Sequence, residues 1–186
     1  MKTRSILLVL ALVLISFSSC SKIKDALTIK VPVEFTNDMQ VRDSTSGLKS
    51  SLSYSFYAQT SFNPSTDATV IKYKSKIKSF TATGVSFTPT GLPGDVSVQY
   101  AYIAIGVGGT SIEDIKIYWQ LPAFTLKNGV KVDLPAPTMG TFADISTYLE
   151  GDQQIELFWW GGQDTRVLPY VFTTTFTADV VAFLLK

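Results

Sequence analysis

Histidine is absent from the 186 residues, and cysteine occurs once, at Cys20. The first absence removes the Ser-His-Asp type of triad and the commonest zinc and copper ligand. A single cysteine excludes an internal disulfide, so any fold has to be held by its core alone. Charged side chains make up only 17% of the chain and nearly cancel, for a formal net charge of +1. That balance lacks the basic excess of a nucleic-acid-binding domain. Apolar runs are short of the roughly 20 residues that cross a hydrocarbon core. Long amphipathic helical stretches are missing as well, which argues against an α/β fold. Carboxylates, lysines and tyrosines are left as carriers of chemistry, and no cofactor or metal is expected.

What is present begins at the N-terminus. Lys2 and Arg4 precede an apolar run from Ile6 to Ile15, and Ser16, Phe17, Ser18 and Ser19 lead to Cys20. A positive start, a short apolar stretch and small residues at a cut are the parts of a secretory signal. The segment Phe17-Ser18-Ser19-Cys20 resembles the lipobox of bacterial lipoproteins, with Phe17 where leucine is more usual. The resemblance implies cleavage before Cys20 and a membrane anchor through lipid on that cysteine. The other reading is a plain secretory signal with a free thiol, a liability in an oxidising compartment. Ser21, in place of the aspartate that retains Gram-negative lipoproteins at the inner membrane, implies the outer membrane. Lys22-Ile23-Lys24-Asp25 does not resemble the acidic cluster of surface-exported Bacteroidetes lipoproteins, which favours the periplasmic side. The chain then divides into a signal peptide over 1–19, a lipidated tether over 20–25 and one domain over 26–186.

Period-two alternation dominates the rest. Ala26 to Thr36 puts Leu27, Ile29, Val31, Val33 and Phe35 on one side, and Pro32 places this strand at an edge or a bulge. Asn37 to Lys49 is polar and reads as a loop. Strands follow at Leu52 to Phe56, Val70 to Phe80, Val85 to Thr88, Val96 to Ile105 and Ile112 to Gln120. Val96 to Ile105 is apolar on both faces around Ala101 and Ala104 and is expected to be central. Asn128-Gly129, between Phe124–Lys127 and Val130–Leu134, predicts a type I′ hairpin. Thr141 to Leu149 is the one helical segment, with Thr141 as cap and Gly151 as terminator. Gln154 to Trp160 and Tyr170 to Leu185 return to strand. The expectation is an all-β antiparallel sandwich of about eight or nine strands with one short connecting helix, a closed β-barrel being the alternative. The segment from Trp159 to Leu185 is similar to the C-terminal ends of small Bacteroidetes lipoproteins with a β-sandwich domain, which points the same way.

Two constellations stand out. Lys72, Lys74, Lys76 and Lys78 at i, i+2 spacing would leave one face of a strand together. They form either a solvated face that discourages edge pairing or an anion contact for a lipid headgroup, lipopolysaccharide or acidic polymer. Trp159-Trp160-Gly161-Gly162-Gln163-Asp164 is the most distinctive run. Adjacent tryptophans in a strand point to opposite faces, so one belongs to the core, and the glycines suit a turn. Core packing is one reading; a ligand platform of an exposed ring with Gln163 and Asp164 is the other. Trp119, Tyr100 and Tyr102 are of kinds too common in buried sheets to single out. Glu113-Asp114 and Glu150-Gly151-Asp152 lack the spacing of a calcium loop, and Gly106 to Gly109 lacks the Lys-Ser/Thr of a phosphate loop.

The expected function is a non-catalytic, membrane-anchored envelope module that binds a glycan, a lipid or an envelope protein. The alternatives are anionic lipid binding through the lysines and a carboxylate-dependent glycan hydrolase. The latter would draw on Glu150, Asp152, Glu156 and Asp164 and needs two acids roughly 5 to 9.5 Å apart.

Overall fold

The computed structural model describes residues 28–43, 54–110, 114–166 and 169–184. Cys20 and its flanking residues lie outside that range, as do Leu52 and the Ile112 start of the strand expected over Ile112 to Gln120. Nine strands run β1 Thr28–Asp43, β2 Tyr54–Phe62, β3 Ile77–Thr90, β4 Val96–Val107, β5 Ile117–Leu121, β6 Phe124–Leu126, β7 Val132–Asp133, β8 Ile155–Gln163 and β9 Tyr170–Phe183. Two helices, α1 Ala68–Tyr73 and α2 Phe142–Glu150, and a 3-10 turn at Pro64–Thr66 complete the described elements.

Every strand pairing is antiparallel, and the hydrogen-bonded path runs β5-β4-β8-β2-β1-β9-β3-β7, with β6 beside β4. The path does not return on itself, so the barrel alternative falls. Among the described residues β1 pairs with β2 through Arg42–Tyr57 and Asp43–Phe56, and at that corner the sheet folds over into two layers. One layer is β1-β9-β3-β7 and the other is β2-β8-β4 with β5 and β6. With β5 and β6 taken as one interrupted strand, this interleaving of chain order is that of a jelly-roll sandwich. The layers meet through rings: Phe62 on Phe176 at 5.3 Å, Phe87 on Trp159 at 4.5 Å and Trp159 on Phe172 at 4.4 Å.

β9 alternates buried and half-buried residues without a break, as its sequence implies. β1 lies at the edge of its layer over Thr28 to Val41, where the missing amide of Pro32 costs no ladder bond. β4 is central, between β8 and β5/β6, as expected. α2 carries a full capping box between Thr141 and Asp144 and ends at Gly151.

Several expectations fail, each for a physical reason. β1 does not stop before Asn37: Met39 and Val41 are buried and keep the alternation through Arg42. Val70 to Phe80 is not one strand, because the Asp67 carboxylate accepts from Thr69 N and Val70 N and caps α1. β3 starts only at Ile77, and it absorbs the short strand expected at Val85. Asn128-Gly129 makes no hairpin. β6 joins β4 while β7 joins β3, so the turn carries the chain from one layer to the other. Gly129 has φ +73°, Asn128 before it does not have positive φ, and Val130 N donates to Lys127 O, which describes a type II turn. Finally, Gly161 and Gly162 continue β8 instead of ending it.

α2 covers the outer edge of β3. Ala82 N donates to Ser146 Oγ at 2.8 Å, and Phe80 N donates to the Glu150 carboxylate at 3.1 Å. Side chains thus close an edge that would otherwise offer free amides to another strand. Ser146→Ala leaves the Ala82 amide unsatisfied and is expected to lower stability by about 1 to 2 kcal/mol. Urea denaturation would show it as a lower midpoint at unchanged slope.

Candidate functional site: an aromatic ledge on the outer face of the second layer

Alternation along β8 decides the fate of the tryptophan pair. Trp159 faces inward, fully buried, stacked on Phe172. Gln163 faces inward too, donating through Nε2 to Thr165 O and accepting from the Tyr170 hydroxyl at 3.1 Å. Both residues belong to the core: an inward tryptophan is as expected, and Gln163 is the member of the sequence-derived platform that is corrected. Burial of the Tyr170 hydroxyl pushes its pKa well above the usual tyrosine value.

Trp160 and Asp164 leave the opposite face. Trp160 is half-buried and stacks on Tyr102 of β4 with centroids 5.3 Å apart and planes 12° from parallel. Register places Tyr57 of β2 on its other side. Stacked rings on neighbouring strands stand upright, so this row forms a wall across the sheet. The next row toward the Gln163 end is Ser55, Gly162 and Tyr100. Gly162 has no side chain to raise it, and the Tyr100 ring leans into that space. A Cβ on Gly162 would lie 2.8 Å from Tyr100 Cε1 and 3.2 Å from Cζ. Tyr100 stays 43% exposed and meets Tyr102 edge-on at 67°. The result is a ledge with Tyr100 as its floor and Tyr102 with Trp160 as its wall.

Asp164 lies beyond the floor, four residues from Trp160 and so about 13 Å along the strand. Its amide donates to Ser97 O, which holds it in line with the ladder, and its carboxylate accepts from Thr165 Oγ1. Ser55, Ser97 and Gln120 add neutral polar groups on this face. At the other end of the wall the Tyr57 hydroxyl donates to Gln59 at 2.8 Å, and burial, with the nearby Glu156 charge second, raises its pKa. An apolar ring face next to a carboxylate and hydroxyls suits a ligand that is itself apolar on one side and hydroxylated at its rim.

The lysines do not form a stripe. Lys72 lies in α1, Lys74 and Lys76 in the turn after it, and Lys78 at a bulge of β3. At helical pitch Lys72 and Lys74 point about 200° apart, so i, i+2 spacing there unites nothing. Lys74 and Lys78 instead line a cleft of about 300 Å³ with Ser65, Leu149, Glu150 and Asp152. The Ser65 hydroxyl, with Lys74 second, holds the Asp152 carboxyl below its usual pKa, and Lys74 pairs with it at 3.8 Å. Glu150 is engaged with the Phe80 amide. A general acid needs the opposite shift. Glu156, on the outer face of β8, and Asp164, just past its end, stand apart from this cleft. Among the described residues no cluster of His, Cys, Asp or Glu could hold a metal ion.

Sequence reasoning singled out Trp160 and Asp164, set Tyr100 and Tyr102 aside as ordinary sheet residues, and passed over Tyr57. The i, i+2 pair Tyr100 and Tyr102 was the available signal; their meeting with Trp160 depends on register between strands distant in sequence.

No family model and no curated protein matches the chain. Among solved structures it is similar to Desmodium yellow mottle tymovirus, at 10% identity over 85% of this chain and 85% of that one, TM-score 0.32. It is also similar to the decameric BFDV capsid protein, at 9% identity over 82% of this chain and 98% of that one, TM-score 0.39. A third likeness is to the Israeli acute paralysis virus particle, at 13% identity over 84% and 74% of the two chains, TM-score 0.36. Scores this low carry no argument about function, and the jelly-roll assignment stands on strand order.

Proposed function

We propose that this chain is a lipid-anchored, non-catalytic binding module of a bacterial envelope, whose ligand is a saccharide held on the Tyr100 ledge. The observation that supports it most is the ledge itself. Tyr57 and Trp160 pack at the border of a small outer-face cluster of Ala104, Ile115 and Phe158, and the row continues beyond that cluster to Tyr102 and the exposed Tyr100. Pyranose rings present axial C–H groups on a face and hydroxyls around the edge, which matches a ring floor bordered by Asp164, Ser55 and Ser97.

The layout supports an anchored module. The Tyr170–Gln163 hydrogen bond puts the ledge at the Tyr170 end of β9, whereas Thr28 pairs with Phe183 at the other end. Thirteen extended steps, about 43 Å, separate those ends. A lipid on Cys20 would hold the Thr28 end at the bilayer and turn the ledge away from it. The lipobox resemblance and Ser21 support an address at the outer membrane, on its periplasmic side.

Affinity electrophoresis through gels containing envelope polysaccharides tests the reading. Retardation is expected with at least one of them, and Tyr100→Ala should weaken it roughly tenfold, in line with about 1.4 kcal/mol for one stacked ring. Tyr100→Phe should retain most of the binding, because it keeps the ring.

A further inference from the structure

We infer that the end of the sandwich around Phe183 is a docking surface for anionic lipid headgroups, which seats the domain upright on the membrane that anchors it. The inference rests on the lipoprotein reading for its geometry and on a separate set of residues for its chemistry. Thr28 pairs with Phe183, Lys30 with Val181, and Phe183 N donates to Lys76 O at 2.8 Å. Lys76 N in turn donates to Tyr73 O, which ties the end of α1 to the same place. Lys30, Lys72, Lys74, Lys76 and Lys78 therefore converge on one end of the molecule from β1, α1, the turn and β3. This grouping owes nothing to the i, i+2 spacing that the helix breaks up.

Three of the acids nearby are already committed, and Asp179, on the outer face of β9 two residues from Val181, is the one set against the cations. Asp67 caps α1, Glu150 accepts from the Phe80 amide, and Asp152 pairs with Lys74. Among the described residues Lys30, Lys72, Lys76 and Lys78 make no salt bridge. Lys78 lies over the Phe183 ring at 5.8 Å and Lys72 over Tyr73 at 5.4 Å. Ile71 and Leu184, 58% and 44% exposed, stand among these cations. Cations mixed with a few exposed apolar side chains suit the headgroup boundary of a bilayer. The tether from Cys20 to Leu27 could reach at most about 28 Å when fully extended. A tether of that length lets the basic end meet the charged surface repeatedly, and contact brings it inside the roughly 8 Å range over which the attraction acts at physiological salt.

The test uses the chain from Ser21 to Lys186, which keeps every core residue but lacks the lipid. It should sediment with vesicles of phosphatidylcholine plus phosphatidylglycerol, stay free of pure phosphatidylcholine vesicles, and detach as salt rises. Replacing Lys30, Lys76 and Lys78 by Gln together should weaken the partition roughly a hundredfold, near fivefold per lysine. Lys127→Gln with Lys131→Gln, on the segment that leaves the opposite end, should leave it unchanged. Equal binding to both vesicle types, or no loss in the triple variant, would overturn the inference. The mass of the full chain purified from membranes reports acylation at Cys20 independently, so a failed anchor and a failed docking surface give different results.

Discussion

Gly161→Ala is expected to destabilise the domain by about 3 kcal/mol or more, a drop of roughly 6 to 12 °C in its unfolding midpoint. The effect has nothing to do with backbone freedom, since Gly161 is not among the glycines with positive φ. It comes from what faces the missing side chain. An added Cβ would run into the Tyr100 carbonyl oxygen and lie 2.7 Å from Phe56 Cζ. The carbonyl belongs to the β4 ladder and Phe56 is buried in the core, so neither can yield cheaply. Gly94 is the control, with nothing within 4 Å of its Cβ position. Gly94→Ala should leave stability unchanged or raise it by a few tenths of a kcal/mol. Equal midpoints for the two variants would mean that β8 does not thread between Phe56 and β4 in this register.

Above pH 10 the domain should lose stability, and Tyr170 should account for much of the loss. Its hydroxyl is buried and donates to Gln163, so the folded state resists ionisation and its pKa is raised. The unfolded chain releases the same proton near pH 10. Above that value the unfolded state binds fewer protons than the folded one, so unfolding stability falls with pH. The contribution is complete below pH 10 and is lost at about 1.4 kcal/mol per pH unit toward the folded pKa. Tyr170→Phe removes this slope, at a cost of about 1 kcal/mol at neutral pH for the lost bond to Gln163. The two stability curves should therefore cross near pH 11. Parallel curves for the two proteins would rule out a buried, protonated Tyr170.

The reach of the sequence follows from the range of the forces that set each element. β9 and the first part of β1 are legible because burial on a pleated sheet imposes period two on the chain itself, β4 because its apolar residues on both faces mark a central strand, and Pro32 marks the edge by its missing donor. α2 is legible because its capping box is local. α1 was hidden by alternating lysines, although Asp67 provided a cap for it. Asn128-Gly129 carries a hairpin signal, yet Val132 finds its partner in β3 across the sandwich. Gly161 and Gly162 look like a turn in sequence; their reason for being glycine lies in Phe56 and Tyr100, far away along the chain. The ledge was half legible for the same reason. Trp160 and Asp164 announce themselves in one strand, while Tyr57, Tyr100 and Tyr102 join them only through register.

The most direct test is tryptophan fluorescence during titration with a polysaccharide that retards the protein. Trp119 and Trp159 are fully buried, and the third tryptophan, Trp160, is half-exposed in the wall of the ledge. A saccharide on the Tyr100 floor should shield Trp160 from acrylamide and shift its emission to the blue, and the change should vanish in Tyr100→Ala while Tyr100→Phe retains it. Retardation with no change at Trp160, or a response that survives Tyr100→Ala, would contradict the assignment of the ledge as the binding site.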